Sequence, residues 1–170
     1  MTTRAFLLLL LLLLAVLPGG CGYTLHGTLP SHINTVAVPI FKNRTPEPAI
    51  ESLITRAVVE AFSTNGRLKV VGSGQADAIL DGEITHYSVS SIAFDRDANV
   101  RQYRLLVTVN LRMRDVRRNT MLFQQNQVQE QADFRVQSQV SQTISREETA
   151  LRAAAVDIGR AIVSLAITRF

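Results

Sequence analysis

The chain has 170 residues, 46% of them apolar, with 18 Lys and Arg against 14 Asp and Glu for a net charge of +4. So mild a surplus gives no reason to expect nucleic-acid binding, which needs a concentrated basic stripe. One cysteine excludes an intrachain disulfide, and none of the three histidines has a second donor at metal-ligand spacing, so neither a metal nor a cofactor is expected.

Arg4 is the only charged residue before Lys42, and residues 5–17 form an unbroken apolar run. As a helix rising about 1.5 Å per residue, that run reaches only about 20 Å, short of the ~30 Å hydrocarbon core of a bilayer. A basic tip, a short apolar segment and the small residues Pro18, Gly19 and Gly20 describe a secretory signal removed before folding. The expected organisation is a signal over 1–20, a linker over 21–32 and a single domain over 33–170. A chain of that length buries a sizeable core by itself.

Cys21 has no visible base or positive helix end to activate its thiol. The segment "LLLLAVLPGGCG" resembles a bacterial lipoprotein signal, in which cleavage leaves cysteine first and its sulfur and amine carry acyl chains. Pro18 stands where that pattern has leucine, and plain secretion with cleavage nearby is the other reading. Each buried CH₂ adds about 0.8 kcal/mol, and two or more chains hold firmly where one is marginal. Cys21 is thus the expected lipidation site. Gly22 takes the place of the aspartate that retains similar lipoproteins in the inner membrane, so the resemblance implies the outer membrane, on its periplasmic side.

Past the linker, "INTVAVPIF" from Ile33 reads as a buried strand, with Pro39 at an edge, end or bulge because it has no N–H. "KNRTPEPA" is loop chemistry, and Thr45, Pro46, Glu47 and Pro48 suit a helix start. Ile50, Leu53, Ile54, Ala57, Val58, Ala61 and Phe62 then recur at steps of three and four, one apolar helix face, stopped at Asn65 and Gly66. "RLKVV" is a short strand. "ADAILDGEITHYSVSSIAF" is a long one, in which Gly82 suggests a bulge or a close approach of backbone.

After the polar turn "DRDAN", the strand from Val100 alternates: Tyr103, Leu105, Val107, Val109, Leu111 and Met113 on one face, Arg104, Leu106, Thr108, Asn110, Arg112 and Arg114 on the other. One face is dry and the other meets water or a partner. "VRRNT" turns, and "MLFQQNQVQEQADF" is a further strand with a glutamine-rich outer face. Ser145 and Glu148 have capping-box spacing before a last helix along Leu151, Ala154, Ala155, Ile158, Ile162 and Leu165. The expected fold is α+β, a two-layer sandwich with both helices on one face of a roughly four-stranded mixed sheet.

No catalytic constellation stands out. His26, His32 and His86 read as surface residues, Asp95 and Asp97 with Arg96 and Arg101 as a salt-bridged loop, and Glu147 and Glu148 as helix-start acids. Nucleophile-elbow, phosphate-loop and zinc-protease patterns are absent from the sequence, so no enzyme is expected.

The start "CGYTL", the segment "VAVPIFKNRT", then "ADAILDGEITHYSV", "YRLLVTVNLRMRD" and "SREETALRAAAVDIGRAIVSL" resemble, in order, the LptE lipopolysaccharide-assembly lipoprotein family. That resemblance implies a plug within the LptD outer-membrane barrel that assists its assembly, binds lipopolysaccharide and helps deliver it to the outer leaflet. Only Lys42 and Lys69 are lysines, and arginine forks suit phosphates. Candidate lipopolysaccharide contacts are Arg96, Arg101 and Arg104 at the first hairpin, Arg117 and Arg118 at the second, and Arg146; solvated surface charge is the competing reading for each. "VAVPIFKNRT" before a helix also resembles envelope lipoproteins that self-assemble into secretion channels, and a periplasmic hydrolase is a weaker alternative.

Overall fold

The computed structural model describes residues 29–136 and 140–168. Of the apolar stretch from Ile33 only β1 (Thr35–Ala37) is strand, and β2 (Lys42–Asn43), beyond Pro39, falls in the segment read as loop. Proline cannot donate to a ladder, so pairing lapses there and resumes on the other side. Helix α1 (Ile50–Asn65) leads to β3 (Lys69–Val70). Three long strands follow, β4 (Ala78–Phe94), β5 (Val100–Asp115) and β6 (Thr120–Arg135), and then helix α2 (Val140–Thr168).

The sheet runs β3–β1–β4–β5–β6, with β2 also on β4. β1, β2 and β3 pair in parallel, whereas β4, β5 and β6 form an antiparallel meander. The mixed α+β sandwich is as expected, but the strands among the described residues number six, not roughly four. Two of the six are only two residues long: β3 lies in the RLKVV segment read as a strand, whereas β2 lies in KNRTPEPA, read as loop, and pairs across α1 with β4, which no local periodicity can register.

Both helices cover the face that carries Leu105, Val107, Val109, Leu111 and Met113, each at most 1% exposed. Against them lie Ile54, Val58 and Phe62 of α1, and Ala154, Ala155, Ile158 and Ile162 of α2, in one continuous core. Fully burying a large aliphatic side chain is worth about 1.5–3 kcal/mol, so this face dominates the stability of the fold. Ala37, Ala76 and Ile79 form a small second cluster at the start of the sheet.

Local chemistry sets the helix ends. Gly66 adopts φ 72°, and its N–H closes α1 on the Phe62 carbonyl at 3.0 Å. At the other end α1 begins at Ile50, after Ala49 in the left-handed region, and Thr45 serves the loop: its hydroxyl donates to Asn43 Oδ1 at 2.8 Å. Ser145 does not cap α2, which already begins at Val140; its carbonyl accepts the Thr149 hydroxyl at 2.8 Å inside the helix. Residues 140–144 contain neither proline nor glycine, so nothing stops the helix from starting earlier.

Two glycines mark close approaches. A Cβ on Gly82 would lie 2.4 Å from the Phe41 ring, so this glycine lets the ring sit on β4. A Cβ on Gly159 would lie 2.7 Å from the Ala57 carbonyl oxygen, so the small residues of α2 bring it close to α1 as well as to the sheet.

Candidate functional site

The face of the sheet that the helices leave open is polar over three strands. Arg104, Leu106, Thr108, Asn110 and Arg112 of β5 stand opposite Ser90, Ser88, His86, Glu83 and Asp81 of β4. On the other side Arg104, Leu106, Thr108 and Arg112 stand opposite Asp133, Gln131, Gln129 and Gln124 of β6. Side chains directly opposite one another share a face, so hydroxyls, amides and guanidiniums form a single hydrogen-bonding surface. Gln127, at φ 56°, is the bulge that keeps both halves of β6 in phase; its N–H donates to Asn110 Oδ1 at 2.9 Å.

The candidate arginines do not converge. β5 is 16 residues long, so its two turns lie about 50 Å apart at roughly 3.3 Å per residue. Arg96, Arg101 and Arg104 belong to the β4–β5 end, and Arg117 and Arg118 to the β5–β6 end. Arg146 joins the first group through a cleft between α2 and the last turn of β6, beside Arg135 and Phe134.

Three of the six are already matched. Arg104 grips Asp133 through two parallel hydrogen bonds of 2.7 and 2.8 Å and holds that carboxyl below its usual range. Arg101 reaches Asp95 at 2.7 Å, and Arg117 reaches Asp77 at 3.0 Å. Asp95 also organises the turn, accepting from the backbone N–H groups of Asn99 and Asp97, the first of which contributes most to lowering its pKa. Of the loop expected to be salt-bridged, only Arg101 and Asp95 form an ion pair among the described residues. The side chains of Arg96, Arg118 and Arg146 make no ion pair within 4 Å among the described residues.

At the β5–β6 end lies a polar cluster that sequence reasoning missed. His32, read as a surface residue of the linker, instead places Nε2 2.5 Å from Oδ2 of Asp115, a carboxylate only 1% exposed. The other oxygen of Asp115 accepts the N–H groups of Arg118 and Arg117; the Arg118 bond is the larger cause of its lowered pKa, with His32 adding to it. Next to it Asp77 accepts the Thr35 hydroxyl at 2.8 Å and the N–H groups of Asn34 and Thr35, and these bonds lower its pKa too. The two aspartates fasten the entering chain to the base of the sheet.

Also unforeseen is a groove of about 340 Å³ on the open face, which gathers Lys42 of β2, Arg112 and Arg114 of β5, and Asp81 and Glu83 of β4. Alternation of β5 was enough to pair Arg112 with Arg114. Lys42 joins them through the parallel Lys42–Glu83 pairing, for which the sequence carries no signal.

Toward the other end Tyr87 donates its hydroxyl to Glu147 at 2.9 Å, and burial followed by that bond pushes the phenol pKa up. Glu47 is raised as well, first by burial and then by Glu147. Among the described residues no group of three His, Cys, Asp or Glu is placed to hold a metal ion, and no helix is long and apolar enough to cross a membrane. Cys21 and His26 lie outside the described residues.

The family model described as LptE, lipopolysaccharide-assembly, matches residues 33–165. No curated protein matches the chain. Among solved structures, a protein from Xanthomonas campestris has a TM-score of 0.55 at 12% identity, covering 83% of this chain and 90% of its own. Lipoprotein B from Nitrosomonas europaea has 0.52 at 19%, with 85% and 92% covered. The PelC dodecamer from Paraburkholderia phytofirmans has 0.51 at 15%, with 80% and 90% covered. At these identities the likeness is one of fold.

Proposed function

The chain belongs to the LptE family of lipopolysaccharide-assembly proteins, and from that premise we propose that it is a non-catalytic outer-membrane lipoprotein, anchored through acylated Cys21, that plugs the LptD barrel, assists its assembly and helps pass lipopolysaccharide outward. The observation that carries this reading is the open sheet face. Its Ser, Thr, Asn, Gln and Arg side chains, spread over three strands, suit the polar, wet interior of a large barrel. A hydrophobic lid or a deep catalytic cleft would serve that setting poorly.

Lipopolysaccharide offers phosphates and acidic sugars, and cations without a carboxylate partner are free to take them. Of the six candidate arginines, Arg96 and Arg146 at the β4–β5 end meet that condition and are the proposed contacts, with Arg118 free at the opposite end. Arg101, Arg104 and Arg117 hold the two turns and the β5–β6 pairing in shape.

The test is affinity purification of the tagged full-length protein from detergent-solubilised membranes, with mass spectrometry of partners and of the N-terminal peptide. One copy with one large barrel, and an acylated Cys21 at the N-terminus, is the expected result. A ring of identical copies without a barrel would overturn it in favour of the self-assembly reading, which the similarity in fold to the PelC dodecamer supports. Unmodified Cys21 would overturn the anchor.

A further inference from the structure

β4 has strands on both sides only over its first half. The pairing with β2 ends where the Arg44 N–H donates to the Ile84 carbonyl at 2.9 Å, and from Tyr87 to Phe94 the edge away from β5 has no backbone partner among the described residues. Such an edge offers its outward N–H and C=O groups to any other strand, and proteins blunt it with charge or proline. The segment "YSVSSIAF" contains neither, and its register with β5 shifts only around Ile92 and Ala93. Val89 at 36%, Ile92 at 38% and Phe94 at 59% exposed stand along it. Ile144, 61% exposed, lies one turn of α2 before Glu147, the residue that Tyr87 binds. β6, the other long edge, is better defended, by Glu130, Asp133, Arg135 and the bulge at Gln127.

The two ends of the open β4 edge carry opposite charge. At the inner end Glu47 and Glu147 both act on Tyr87, and Glu147 adds to the rise that burial causes in the Glu47 pKa. Neither carboxylate has a cation within 4 Å among the described residues, and at the outer end Arg96 has no carboxylate. A second copy of the same edge, laid antiparallel about a twofold near Ser91, sets Phe94 of one copy opposite Ser88 of the other. Arg96 of each copy then falls beside Tyr87 and the two carboxylates of the other. The edge is complementary to itself, as a twofold interface requires.

We propose that the open edge of β4 pairs antiparallel with the same edge of a second copy, so that the free protein is a twofold-symmetric dimer. The paired stretch is short, which places the interface in the small, transient class. This inference concerns the free protein and does not depend on the barrel reading: one copy in a barrel is what remains once the pair has parted. Arg96 is occupied in the pair and becomes free for ligand when the copies separate.

The experiment is sedimentation equilibrium of the detergent-solubilised full-length protein across the micromolar range, without a barrel partner, with circular dichroism to show each variant folded. Wild type is expected to dimerise. Val89→Lys/Ile92→Lys, Arg96→Glu and Glu47→Lys should each weaken the dimer by about tenfold or more, because like charges are brought together across the interface. An equimolar mixture of Arg96→Glu with Glu47→Lys should recover association, since opposite charges meet again in the mixed pair. A positional probe needs no disruptive variant: paired strands bring opposed Cα atoms within about 4.5–5.5 Å, so Ser91→Cys should form a disulfide-linked dimer on mild oxidation. Gln131→Cys on β6, and wild type with Cys21 alone, should not. A wild type that stays monomeric overturns the inference, as does a dimer that the edge variants leave unchanged or that Gln131→Cys links as readily. Ser91→Cys captured on a different polypeptide overturns it too, and assigns the edge to that partner.

Discussion

His32 Nε2 and Asp115 Oδ2 meet at 2.5 Å across 83 positions of sequence, joining the segment that enters the fold to the last residue of β5. This contact and the neighbouring Asp77–Thr35 bonds hold that segment to the base of the sheet.

Asp115 has its pKa lowered in the fold, so the stability it contributes is present above the unfolded carboxyl value of about 4 and is lost as pH falls through the lower folded value. Asp115→Asn is expected to lower Tm at pH 7. The gap from wild type narrows progressively below about pH 4, where both states take up the proton. Thermal denaturation from pH 3 to pH 8 checks this; a gap constant over that range would contradict it.

Gly82→Ala forces the buried Phe41 ring to move, because the new methyl would lie 2.4 Å from it. The expected cost is about 1–3 kcal/mol, as for overpacking elsewhere. Phe41→Leu in the Gly82→Ala background should recover part of the loss, and urea titration of the four proteins gives the coupling directly.

Gly159→Ala sets two effects against each other. Alanine favours a helix by about 1 kcal/mol over glycine, yet its Cβ would lie 2.7 Å from a backbone oxygen of Ala57, and a backbone yields less readily than a ring. The clash outweighs propensity if α1 and α2 must separate, so a net loss of stability is expected. A gain in the denaturation midpoint would show that the helices part at little cost.

For lipopolysaccharide binding, Arg96→Gln/Arg146→Gln should weaken affinity by about tenfold or more. Arg104→Gln should change it by less than about threefold, because that guanidinium is already held by Asp133 at 2.7 and 2.8 Å. Equal losses in both would show that the ion pair opens to receive ligand.

Much of the layered fold was legible in advance. The alternation from Tyr103 to Met113 assigned both faces of β5 correctly, because a strand with one buried face must repeat every second residue. The steps along Ile50, Ile54, Val58 and Phe62 likewise named the inner face of α1. Gly82 reads as a bulge or a close approach; β4 keeps its register there and the Phe41 ring lies across it, a partner nothing local announces.

Site residues were harder to read, for a physical reason. An arginine's identity is local, but its freedom to bind depends on whether a carboxylate stands beside it in space. Arg104 and Arg96 look alike in sequence; one is clamped by Asp133, 29 residues away, and the other is not.

By itself the sequence determined most element types, the buried faces of α1, β5 and α2, and the family, since these follow from periodicities and motifs carried by neighbouring residues. Only the tertiary structure decided the short strand at Lys42–Asn43, the contact of His32 with the buried Asp115, and the gathering of Lys42 and Arg112 at one groove. Each of these joins residues many tens of positions apart, and their proximity is settled by how the helices and sheet pack as a whole.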